Sequence, residues 1–122
     1  YTTFERGCIE SLAAFCPDLR TQLKDLADRL IDLHPIVKDH YYHPDMHGSW
    51  SIKAVLPTIA LELDYSKLGE IQEGTAAQQA YVEAISADTR QARREEIRRS
   101  LLEYCKHDTW AMITVARHLN DS

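Results

Sequence analysis

The chain is predicted to be mainly α-helical, on three observations. Apolar residues recur at steps of three and four over long stretches, the spacing of one helix face. No stretch alternates convincingly at period two, so no strand is predicted. Capping pairs and prolines fall between the apolar stripes, where helices should start and stop.

Phe4 to Phe15 reads as a first helix with Phe4, Cys8, Leu12 and Phe15 as its inner face. Pro17 breaks that pattern and suits the first turn of a second helix. There Leu19, Leu23, Leu26, Leu30 and Leu33 alternate by four and three, which predicts packing along another helix. Arg20, Gln22, Lys24, Asp25 and Asp28 should face water. From Leu33 to Ser51, Pro35, Pro44 and Gly48 predict a long loop or a set of short turns. Ser51 reads as the cap of a short helix, Ile52 to Leu56, ended by Pro57. Leu61 to Gly74 is irregular. Thr75 with Gln78 matches a capping box, opening a helix that runs to Ile85. Asp88 with Gln91, the weaker form of that signal, opens a long helix to about Asn120, in which a break would fall near His107.

The 122 residues suit one domain or a piece of one, read as a single partial domain over 1–122 because the chain opens in mid-pattern at Tyr1. Hydrophobic residues at 44% and charged residues at 27% fit an ordinary globular protein rather than a disordered one. A net charge of -5 argues against broad electrostatic capture of nucleic acid, though a metal-dependent nuclease carries acidic sites whose cation reverses the local charge. No apolar run approaches the roughly 20 residues of a membrane span, so no membrane partner is expected. No signal peptide is visible. Cys8, Cys16 and Cys105 are odd in number and lack CxxC spacing, which reads as reduced thiols in a cytoplasmic protein. There is no Gly-rich phosphate loop and no Gly-x-Ser-x-Gly elbow, and no cysteine has a base at a diagnostic spacing.

The candidate chemistry begins at Tyr104 and Asp108. Ile97, Leu101, Tyr104, Met112, Val115 and Leu119 form one helical stripe, and Asp108 falls on it. A carboxylate facing a core must be hydrogen-bonded, paired or bound to a cation. A tyrosine one turn away can orient a water that a metal held by the aspartate activates. The alternative is structural. Asp108-Thr109 could cap a helix restarting at Trp110, with Tyr104 as ordinary core; Thr109, Tyr104 or a backbone amide could also satisfy the acid. Glu5 carries the same ambiguity. It completes a capping box with Thr2, or it is an inward carboxylate at the end of a strand that this chain lacks.

Thr3-Phe4-Glu5 opening a helix resembles the second motif of the DnaQ-like 3′–5′ exonucleases, and Tyr104 to Asp108 resembles their third motif in its tyrosine-containing branch. The chain as a whole resembles a bacterial family, domain of unknown function 2779, placed near that superfamily. The residues that carry this are Asp32-Leu33, Tyr42-His43-Pro44, the run Gly48 to Pro57, Tyr65 with Leu68, Gly74 with Ala77, and Tyr104-Cys105 with Asp108-Thr109 and Ala111-Met112.

The resemblance implies the helical latter portion of an RNase H-like α/β exonuclease-type domain, its central sheet largely missing. It implies a site of Glu5, Tyr104 and Asp108, with Glu5 and Asp108 as ligands of Mg2+ or Mn2+. Such enzymes clamp the attacking and leaving oxygens of a phosphodiester between two metal ions. Glu5 departs from the usual aspartate of the second motif. The Asp-x-Glu of the first motif is absent from this chain, so activity and strong metal binding are expected only with the upstream part of the same domain. Both carboxylates should then point into one shared pocket.

Lys53, Arg94, Arg98, Tyr42 and Trp50 are the candidate nucleic-acid contacts. The aromatics could stack on a strand, and the cations could meet phosphate. For the cluster of Arg90, Arg93, Arg94, Arg98 and Arg99, however, a solvated helix surface with local ion pairs is the reading preferred. His40, His43, Asp45 and His47 are close in sequence but match no standard zinc spacing. A second function class stands beside the nuclease: a helical interaction or regulatory module with no catalysis. An apolar seam left by a missing sheet would make a homodimer plausible.

Overall fold

The structure, a computed structural model, describes residue 1 and residues 3–121, and these divide into two compact units, Tyr1–Tyr42 and His43–Ser122. Among the described residues the chain is mainly helical and contains no strand.

The first unit holds α1 (Phe4–Phe15), a 3-10 turn at Pro17–Leu19, α2 (Arg20–Asp28) and α3 (Leu33–His40). Helices α1 and α2 pack together. The face of α1 turned inward is not the expected one. Ala13 is buried, with Ile9 and Cys16 partly covered, whereas Phe4, Cys8, Leu12 and Phe15 are exposed, Phe15 at 85%. In α2 the buried residue is Ala27, while Leu26, like Leu19 in the turn before it, stays exposed. Alanine at the contact lets two helix axes approach closely, and a leucine stripe would hold them apart. Arg6 reaches Asp28 at 3.6 Å, tying α1 to the end of α2.

The leucine pattern through Leu33 does not mark one helix. The second helix stops at Asp28, and residues 33–40, expected as loop, form α3. Asp32 caps it by accepting a hydrogen bond from the His34 amide at 2.9 Å. Pro35 sits in the first turn, where its missing N–H costs nothing because no intrahelical acceptor exists there. Tyr1 rests edge-on against His34, with ring centroids 5.5 Å apart. Burial, together with the charge of Asp32, pushes its phenol up to about 12.

The second unit is built on α6 (Gln91–Asp121), 31 residues without a break at His107. Upstream lie a 3-10 turn at Pro44–Met46, α4 (Ile52–Ile59), 3-10 turns at Leu61–Leu63 and Tyr65–Lys67, and α5 (Gly74–Ile85). Helices α4 and α5 both pack on α6. Ile71, Ala80 and Ile97 form a buried cluster with Leu101 and Tyr104 against it. Val55, Leu56, Met46, Ala111 and Val115 are also buried.

Several helix ends and caps depart from their sequence signals. Helix α4 runs through Pro57 to Ile59; it tolerates the proline because the helix is only two turns long and the ring removes a single intrahelical bond. Ser51 occupies its cap position, but its hydroxyl pairs with Ser49 rather than with the helix. Helix α5 begins at Gly74, one residue before Thr75, so the Thr75–Gln78 capping box does not form. Thr109 likewise does not restart a helix; its hydroxyl bonds back to the Cys105 carbonyl within α6. The capping box of Glu5 depends on Thr2, which lies outside the described residues; Thr3 is at the cap position of α1 and makes no side-chain cap bond.

Arg93 and Arg94 serve the fold. Arg93 donates to Glu70 at 2.6 Å, Glu83 at 2.8 Å and Glu96 at 3.2 Å, joining α6, α5 and the segment before α5. Arg94 donates to the carbonyls of Ala84, Ser86 and Thr89, which close the end of α5.

Candidate functional site

The α6 stripe is observed as its spacing predicts. Ile97 and Val115 are fully buried, Leu101, Tyr104, Asp108, Met112 and Leu119 are half-buried, and Ala111 joins them. Asp108 therefore faces inward, and its partner is the hydroxyl of Tyr65, which donates to Oδ1 at 2.6 Å across 43 residues of chain. No donor among the described residues engages Oδ2. Tyr65 is itself buried, at 4% exposure. Its phenol is pushed well above its ordinary range, first by desolvation and then by the hydrogen bond to Asp108. It is thus a neutral donor at any physiological pH.

Three groups surround this pair. The Tyr104 ring lies 6.4 Å from the Tyr65 ring, and its phenol is also raised, by burial and then by Asp108. His107 meets Tyr65 edge-on at 4.7 Å and 80°, and its Nε2 is buried with no hydrogen-bond partner among the described residues. Lys53 places its ammonium 5.9 Å from the Tyr65 ring centroid and pairs with Glu73 at 3.6 Å. Lys53, Tyr65, Ser66, Glu70, Gln72 and Glu73 line an open cleft of about 420 Å³.

The structure thus brings Lys53, Tyr104 and Asp108 to one neighbourhood and adds Tyr65 and His107. Glu5 belongs to the other unit, in the first turn of α1, where its side chain is exposed rather than inward. Arg94 is committed to backbone carbonyls, and Arg98 is exposed on α6. Tyr42 ends the first unit, exposed, and Trp50 is half-buried in the second. His43 accepts from the Asp45 amide at 3.3 Å and shapes the Pro44–Met46 turn, and His47 and Gly48 complete that turn in left-handed conformation. Among the described residues, no three His, Cys, Asp or Glu side chains gather in an arrangement that could hold a metal ion. No described helix is long and apolar enough to cross a membrane.

Residues 1–51, less than half of the chain, match the model of a family described as Domain of unknown function (DUF2779), so the likeness holds for that part alone. The matched span covers the first unit and stops before Lys53, Tyr65, Tyr104 and Asp108. No curated protein and no solved structure matches the chain.

Proposed function

We propose that this chain is the helical portion of a metal-dependent, 3′–5′ exonuclease-like phosphodiesterase acting on nucleic acid, completed by the upstream part of the same domain. One observation carries the reading: an aspartate set inward on α6, whose Oδ1 accepts from Tyr65 and whose Oδ2 has no donor among the described residues. An aspartate oxygen is the donor type that a hard cation takes, though among the described residues no group of three such ligands gathers. Mg2+ takes oxygen ligands, keeps several waters and is often bound through one or two carboxylates plus substrate phosphate. Asp108 would hold it. A bound ion of this kind supplies an activated water and charge stabilisation at the phosphorus.

The remaining roles belong to the chain itself. Tyr104 keeps its proton because burial raises its pKa, so it can donate to and orient a water next to Asp108. Lys53 offers a cation at the cleft edge for a strand phosphate, in exchange for its exposed pairing with Glu73. Arg98, Tyr42 and Trp50 remain candidate strand contacts; Arg94 would first have to release three carbonyls.

A second reading is a helical interaction module without catalysis. It is favoured by the Tyr65 hydroxyl, which gives the inward Asp108 a donor from the protein itself. The test is degradation of a 5′-labelled single strand by the protein that carries this chain, with Mg2+ or Mn2+. The nuclease reading expects shortening from the 3′ end and a loss of more than about a hundredfold in Asp108→Asn. Undiminished cleavage by that variant, or none by the wild type, leaves the interaction module.

A further inference from the structure

We propose that the outer face of α1 pairs with the same face of a second copy of this chain, each copy seating its Phe15 ring in a hole on the other. This does not depend on the exonuclease reading. Phe4, Gly7, Cys8, Ser11, Leu12 and Phe15 line one uncharged groove along α1. Phe4 is 67% exposed, Leu12 48% and Phe15 85%. Phe4, Gly7, Cys8 and Ser11 are spaced as the four corners of the hole that receives a side chain from a facing helix. The floor of this hole is shallow, because Gly7 has no side chain and Cys8 and Ser11 have short ones. Gly7 is the telling member. Glycine weakens a helix relative to alanine, so its place inside one needs a reason. A methyl group at Gly7 would meet nothing within 4 Å. The close approach that Gly7 permits is therefore one that no described part of this chain makes.

The matching knob lies farther along the same helix. Among the described residues no large hydrophobic side chain is more exposed than Phe15. It stands about 12 Å along the axis from Gly7. A helix that carries both knob and hole on one face is complementary to itself. An antiparallel pair about a two-fold axis fills both holes at once and closes the assembly. Ser11, midway between knob and hole, then faces its own counterpart. The area agrees with this occupant. Phe4, Leu12 and Phe15 together expose roughly 400 Å² of apolar surface on each copy. With the small residues between them, two copies bury about 1,000 Å², the least that a specific interface needs.

The experiment is sedimentation equilibrium of the protein that carries this chain, in wild type, Gly7→Leu and Phe15→Ser. Wild type should form a dimer at micromolar concentrations, as an interface of this size supports. Gly7→Leu fills the hole where the single chain has open space, and leucine favours a helix. It should therefore keep its melting temperature or raise it, while the dimer dissociation constant rises at least about thirtyfold. Phe15→Ser removes the knob from a position already in water and should weaken the dimer as much. A wild type that stays monomeric overturns the proposal and leaves this face to a different protein or to another segment of the same polypeptide. A dimer that survives both substitutions uses another face and overturns it equally. Should either variant fail to fold, Ser11→Cys decides. Oxidation should link two copies through residue 11, and a variant that stays unlinked refutes the two-fold pairing.

Discussion

The contact between Tyr65 and Asp108 lends itself to a double-mutant cycle on stability. A hydrogen bond to a charged group contributes about 1.5–3 kcal/mol. Tyr65 is 4% exposed, which favours a strong bond, but Asp108 is only half-buried and water can partly replace the lost donor. The low end is therefore expected: about 1.5 kcal/mol for Tyr65→Phe. Asp108→Ala should cost about 2 kcal/mol, since it strands a buried hydroxyl. The double variant should cost less than the sum, with a coupling of about 1 kcal/mol. Urea unfolding followed by circular dichroism measures all four, provided the denaturant slope stays constant. A coupling below about 0.3 kcal/mol, within the scatter of additive sites, would refute the argument that Asp108 depends on Tyr65. The same pair has an alkaline signature. The folded protein holds the Tyr65 proton more tightly than the unfolded chain, whose phenols titrate near 10.0. Its contribution is therefore complete below that pH and declines as the pH climbs toward the raised folded value. Tyr65→Phe should flatten this decline, leaving the smaller part due to Tyr1 and Tyr104.

Other perturbations probe the core, a helix cap and the Arg93 ion pairs. Ile97→Ala removes a side chain with 0% exposure from the cluster between α5 and α6, and should cost about 3 kcal/mol in urea unfolding. Asp32→Ala removes the cap of α3 and should cost about 1 kcal/mol, visible in the same assay. Hydrogen bonds from Arg93 hold the carboxyls of Glu70 and Glu83 below their usual range, so their contribution is present above that range and lost as pH falls through the lowered values. Thermal melts from pH 6 downward should therefore fall less steeply in Arg93→Ala than in wild type; equal slopes would show that these surface pairs contribute nothing.

Helix class was readable along the chain, because periodicity belongs to neighbouring residues. The stripe from Ile97 through Val115 and the inward turn of Asp108 follow from steps of three and four alone, and so does the need for a partner to that acid. The partner itself was not readable. Tyr65 sits in a segment with no period, 43 residues away, and entered the sequence reading only among the residues of a family resemblance. Which of several apolar stripes becomes buried was equally out of reach. Phe4, Leu12 and Phe15 advertise an inner face for α1, yet Ala13 lies inside, because close helix packing selects small side chains wherever backbones meet. Likewise Pro35 signalled a loop while allowing a helix, since a first-turn proline gives up no bond. The primary sequence thus determined helices, their approximate order and one displaced acid. Tertiary packing alone decided what touches that acid and which apolar faces stay in water, since those outcomes depend on residues distant along the chain.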